Sequence, residues 1–259
     1  MTGREMRVSS WAELQEALFA GSWRERLQRF RSPFVYRGSA TSDPNLLTSL
    51  QRGHYERYEH HLLKHFRKYA HRNDVPGDSV WNWISLAKHH GLPTRLLDWS
   101  YSPFVALHFT VQDPRSFDHD GAVWCVDFVR AHQLLPPELL DLLAEEEANI
   151  FTAEMLDGVA RTLRDYERIA GDFVLFFEPP SLDDRIINQF ALFSLPASAQ
   201  LDLHEHLTRH PDLLRRVVIP AELKWEIRDK LDQANITERV LFPGLDGLAQ
   251  WLRRYYMVR

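Results

Sequence analysis

Apolar residues recur along the chain at helical and strand periods, and their punctuation predicts most elements. Ser10 followed by Glu13 has the form of a capping box and opens a helix over residues 11–27 that buries Leu14, Leu18 and Trp23. Phe34-Val35-Tyr36-Arg37 reads as a short strand closed by Gly38. Residues 54–71 read as a polar helix with an apolar stripe at Tyr55, Leu62, Phe66 and Tyr69, followed by a loop with Pro76 and Gly77. Another helix begins at Trp81, and Gly91 suits its left-handed C′ position. Ser102 reads as an N-cap, with Pro103 at the first position of a short buried helix that runs to Val111.

Further on, strands are expected over 121–128, 172–178, 190–195 and 216–219. Helices are expected over 137–148 and 152–168, from Pro220 to about 233, and from Asp246 to about 256. No internal repeat or low-complexity linker interrupts them. The pattern predicts one α+β domain over 1–259: a small mixed or antiparallel sheet with helices, its core over about 8–200. Residues 201–259 are expected as a C-terminal strand and a helical layer packed on that core. Trp81, Ile84, Leu86, Leu97, Phe104, Val105, Leu107, Phe109, Val123, Val174, Phe176 and Phe193 are the expected core residues.

Composition narrows the function classes. The 259 residues are 44% hydrophobic and 26% charged, ordinary for a globular chain that needs no staples. A formal net charge of −5 disfavours an electrostatically driven nucleic-acid binder and leaves a local basic groove open. The lone Cys125 cannot form an internal disulfide, fits a reducing compartment, and is expected to pack rather than react. Met1 to Trp11 contains no apolar leader segment, and no apolar run approaches 18 residues. A cytoplasmic protein without membrane partners is expected.

Candidate chemistry concentrates in the run from His89 to Pro103, which sets His89, His90, Thr94, Arg95 and Asp98 between apolar segments. Such groups are either solvated in a cleft or fully hydrogen-bonded, because an unpaired buried polar group costs about 1–3 kcal/mol. Read as a loop, the run presents these side chains rigidly. His90 abuts a helix C-terminus whose dipole favours a charged imidazole, while His89 is expected to face solvent. Arg95 and Asp98, three residues apart, can form an internal pair. Trp99 can stack on a ligand ring or fill the core. Arg37 sits at a strand end, where clefts open; it can bind phosphate bidentately or pair with a carboxylate such as Asp98. Gly38 beside it would let the backbone approach a ligand. Metal sites are not expected. His61/His65 and His206/His210 are spaced i, i+4, but His204-Glu205-His206 lacks the second histidine of a zincin motif.

Several of these segments together resemble the FRG family. They are Phe34, Arg37 and Gly38; the turn Leu46 to Leu50; the block His-x-Gly-Leu-Pro-Thr-Arg-Leu-Leu-Asp-Trp ending at Trp99; Arg185 to Phe193; and the tail Leu241 to Leu248. The resemblance runs from about residue 8 to the C-terminus. Tyr36-Arg37-Gly38 is also locally similar to the first motif of arginine-type ADP-ribosyltransferases, whose arginine holds the phosphates of NAD. That likeness implies an ADP-ribosyltransferase-like fold with NAD as substrate and no metal, transferring ADP-ribose to a macromolecular acceptor or hydrolysing NAD, in the role of a toxin or defence effector. It implies a phosphate-holding role for Arg37 and catalytic roles for Glu178 and Gln189; the reading of the polar run adds His90 as a catalytic candidate and, with Tyr36 and Gly38, His89, Thr94, Arg95, Asp98 and Trp99 as cofactor-binding candidates. Glu178 ends a buried strand, and Gln189 matches the family's glutamine. Phe190 and Ala191 depart from the family's polar residue and glycine, and no clean Glu-x-Glu or Gln-x-Glu pair accompanies them. The alternative is a non-catalytic module that binds a nucleotide or a protein; a phosphodiester-cleaving enzyme using His90 and Arg37 is a third reading.

Overall fold

Among the residues described by the computed structural model (4–43, 45–71, 77–181 and 183–258), ten strands form. They are β1 (Arg4–Arg7), β2 (Trp23–Arg24), β3 (Arg29–Phe30), β4 (Phe34–Ser39), β5 (Leu97–Ser100), β6 (Gly121–Asp127), β7 (Phe151–Thr152), β8 (Val174–Glu178), β9 (Ala191–Pro196) and β10 (Leu214–Ile219). Strands β2 and β3 make a separate hairpin. The other eight form one sheet in the order β1-β10-β6-β4-β5-β9-β8-β7. The pairs β1–β10 and β7–β8 are parallel and the rest antiparallel.

The class is α+β as expected, but the sheet is large. Two features hid its size. The polar run holds β5, which alternates Leu97 and Trp99 with Asp98 and Ser100, so that one face is apolar and the other is not. The C-terminal strand β10 inserts between β1 and β6, so residues 201–259 include an interior strand of the sheet and are no appended layer.

Helix boundaries shift for local reasons. The first helix is Trp11–Phe19; Ser10 caps it, and Gly21 at φ +75° turns the chain into the β2–β3 hairpin, leaving Trp23 exposed. The helix Glu59–Tyr69 buries Glu59 and Leu63, whereas Tyr55 and Tyr69 are exposed. The span 152–168 breaks into Ala153–Val159 and Leu163–Tyr166, because Ala160 is extended and Thr162 caps the second piece. The helices Val80–His89 and Pro103–Thr110 form beside the predicted punctuation, with Gly91 at φ +83° and Ser102 accepting from the Val105 amide. Pro76 of the expected loop lies outside the described residues.

Ten of the twelve expected core residues are buried; Phe104 and Phe109 are half-buried. One sheet face carries a single apolar cluster built on Val35, Leu97, Trp99, Trp124, Phe176 and Leu192. The other face carries two. The cluster of Tyr36, Val123, Cys125 and Val217 covers the β4–β6–β10 half, and that of Leu175, Phe177, Phe193 and Leu195 covers the β8–β9 half. Their boundary follows the line between β4 and β5. Among the described residues no helix is long and apolar enough to cross a membrane.

Candidate functional site

The strands β4 and β5 share a single register pair, Tyr36 with Ser100. Beyond it they part, and a recess of about 640 Å³ opens along the seam. Its floor is Arg37, Gly38, Asp98 and Trp99. Its walls are Lys88 to Gly91, Ala106 and Phe109, and the stretch from Arg185 to Phe193.

Helix termination delivers one wall. Gly91 donates to the Lys88 carbonyl and Leu92 to the Ala87 carbonyl, the paired bonds of a Schellman motif, so Val80–His89 stops abruptly with Lys88, His89 and His90 at the seam. The opposite wall is set by Gly38. A Cβ there would lie 1.8 Å from the Ala106 carbonyl oxygen and 2.7 Å from Thr110 Oγ1. Gly38 therefore lets the helix Pro103–Thr110 seat on β4; the space above its Cα is filled by that helix and not by a ligand.

Arg37 and Asp98 meet across the seam. Arg37 Nη1 donates to the Asp98 carbonyl at 2.8 Å and lies 3.8 Å from its carboxylate, which Lys88 Nζ also approaches at 2.7 Å. Enclosure by the cleft walls would raise the Asp98 carboxyl, but Lys88 and then Arg37 hold it below the ordinary aspartate value. Asp98 still presents about half of its side chain to the open recess. Arg185 lines the recess with its guanidinium 4.8 Å from the Phe242 ring, and it forms no ion pair among the described residues. Three cations and one carboxylate thus line the recess. His89 is largely covered, with Nε2 2.7 Å from Asp183 Oδ2. Burial lowers its pKa most, Asp183 opposes that, and Arg185 and His90 add to the lowering. His90 is the exposed member of the pair, the reverse of the order expected.

The recess collects Tyr36, Arg37, Gly38, His89, His90, Asp98, Trp99 and Gln189. Three predicted residues lie elsewhere. Arg95 is fully buried: its amide and Nε donate to Glu59 at 2.9 and 2.6 Å, Nη1 reaches the Ala197 carbonyl, and Nη2 pairs with Glu167. It makes no pair with Asp98. Thr94 is buried against Ser49, and its Oγ1 accepts from the Leu96 amide. Glu178 accepts from the Tyr101 hydroxyl at 2.8 Å and, by alternation, shares the face of Phe176, away from the seam.

Three of the collected residues have polar atoms engaged elsewhere. The Tyr36 hydroxyl donates to the Leu18 carbonyl, and Trp99 Nε1 donates to Ser194, so neither side chain offers a free polar group to the recess. Gln189 donates its amide to the Leu241 carbonyl and, with Asn188 on Val240, fastens the C-terminal segment beside the recess. Lys88 and Arg185 were not singled out from the sequence. A lysine in a last helical turn and an arginine on a five-residue helix read as solvated charges, and only the meeting of distant segments shows otherwise. Among the described residues no cluster of His, Cys, Asp and Glu is arranged to hold a metal ion. The Cys125 thiol is buried in β6 and pushed up to about 11.

Fold and site together describe an α+β protein with a cation-rich cleft at the seam of a mixed sheet. The chain carries an FRG domain: that family's model matches residues 32–119, the stretch that holds β4, β5 and the two helices flanking the seam. The segments at Arg185 to Phe193 and Leu241 to Leu248 lie outside the match. No curated protein and no solved structure matches the chain.

Proposed function

We propose that the cleft binds an NAD-type dinucleotide and that the protein cleaves its bond to nicotinamide, passing ADP-ribose to water or to a macromolecular acceptor. The observation that carries this reading is the set of Arg37, Lys88 and Arg185 around the single carboxylate of Asp98 in a recess of about 640 Å³. The excess positive charge suits a pyrophosphate, and guanidinium groups bind phosphate oxygens bidentately. Phe109 and Phe193 offer apolar walls for flat rings. With Glu178 turned away, Asp98 is the carboxylate toward which positive charge on the ribose would develop.

A non-catalytic nucleotide-binding module is the second reading. It is favoured by one observation: Asp98 is already neutralised by Lys88 and Arg37.

Calorimetry with NAD and with ADP-ribose, joined to an assay of released nicotinamide, tests both. Binding of both ligands with release supports the enzyme, and binding without release supports the module. No heat with either ligand at millimolar concentration overturns both. Arg185→Ala should weaken binding about 10- to 100-fold, as the loss of a charge-assisted contact of about 1.5–3 kcal/mol implies.

A further inference from the structure

We propose that His89, oriented by Asp183, is the general base of the cleft and activates the water that attacks the nicotinamide ribose. This rests on the NAD reading above and adds a residue with a role that reading lacks.

The carboxylate of Asp183 is held at both oxygens. Oδ1 accepts the Ile186 amide at 3.1 Å as the N-cap of the helix Asp184–Asn188, and Oδ2 stands 2.7 Å from His89 Nε2. The imidazole is fixed from its own side by the Schellman turn that ends its helix and by the edge of the His90 ring, at 5.1 Å between centroids. Asp183 keeps the ring proton on Nε2. His89 Nδ1 makes no hydrogen bond among the described residues, which leaves its lone pair for a proton. A carboxylate behind an imidazole sets its tautomer and stabilises the imidazolium that forms. Burial together with Arg185 and His90 lowers the imidazole pKa and so favours the neutral form a base requires; Lys88 and Asp98 complete the charges around it.

The step balances without a co-reactant beyond water. His89 Nδ1 takes a proton as the water oxygen bonds C1′ of the nicotinamide ribose. The C1′–N bond breaks, and its electron pair leaves on nicotinamide, which departs neutral. ADP-ribose remains, and the imidazolium returns its proton to solvent.

The test measures nicotinamide release from NAD against pH for the wild type, His89→Gln and Asp183→Asn, with ADP-ribose binding as a control. His89→Gln should bind ADP-ribose and lose about 10²- to 10⁴-fold in rate, the usual range for general base catalysis. Asp183→Asn keeps an oxygen for the helix cap. It should lose less rate and move the acidic limb of the profile to lower pH, because the imidazolium loses its counter-charge; a merely structural role would not move that limb. Nitrogen NMR of the free protein should show His89 as the Nε2–H tautomer. Release that is unchanged in His89→Gln, or a profile unmoved in Asp183→Asn, overturns the dyad and leaves the NAD reading intact. Absence of release from the wild type overturns that reading and the dyad with it.

Discussion

Arg37 and Asp98 sit on neighbouring strands and face opposite sides of the sheet, yet their groups touch. Arg37 shares the face of Val35, while Asp98 alternates away from Leu97 and Trp99. The guanidinium reaches through the gap where β4 and β5 part and donates to the backbone of β5. A side chain thus replaces ladder bonds that the parted strands do not make.

Arg37→Ala should therefore weaken the fold as well as the site. A charged hydrogen bond of this kind contributes about 1.5–3 kcal/mol, so the variant should stay folded with a lower midpoint in urea. An unchanged midpoint would show that Arg37 serves the ligand alone. Arg37→Lys should keep the charge but lose the paired reach to carbonyl and carboxylate.

The Glu59–Arg95 pair should be far more costly to break. Both side chains are almost wholly buried. Removing one partner strands a buried charge, which typically costs about 3–5 kcal/mol. Arg95→Met should approach that figure in chemical denaturation, and Glu167→Ala should cost less because Glu167 reaches solvent.

Gly38→Ala tests the seating of the helix Pro103–Thr110. The added methyl cannot coexist with the Ala106 carbonyl, so the helix must move. A loss of at least about 2 kcal/mol is expected, in the range of overpacking. A crystal structure of the variant with the helix unmoved would refute the account.

Acid sensitivity should come from two buried histidines. Burial, with Arg228 nearby, lowers His108 to about 3, and burial lowers His132 to about 4. His132 is locked neutral: Nδ1 donates to the Asn149 carbonyl and Nε2 accepts from the Phe176 amide. Both residues take up protons in the unfolded chain near pH 6.5 and resist them when folded. Stability is thus complete above that pH and is lost as pH falls toward 4. Each should contribute a slope of about 1.4 kcal/mol per pH unit in that window. Denaturation curves between pH 7 and 4.5 measure it, and His132→Gln should reduce the slope by about that amount.

The sequence read well where a local signal sufficed. Gly91 as a stop and Ser102-Pro103 as a start frame the polar run, but Arg37 and Asp98 reach the cleft from inside β4 and β5 and not from strand ends. It read poorly where distant segments decide. Arg95 looked like a partner for Asp98 because Glu59 lies 36 residues away. Glu178 ends an almost wholly apolar strand, so the phase of its alternation, and hence the face it takes, is set only by pairing with β9. The strand β5 is four residues long with a charge inside it, too short for its period to stand out.

The divided packing on one sheet face separates what the molecule must conserve for folding from what it is free to vary. Lys88, His89, His90 and Arg185 lie in the strip between two apolar clusters and belong to neither. Substitutions there change the charge of the recess and leave the residues of both cores in place. A lineage built on this frame can exchange its chemistry along the seam while Arg37 continues to stitch the strands beneath it.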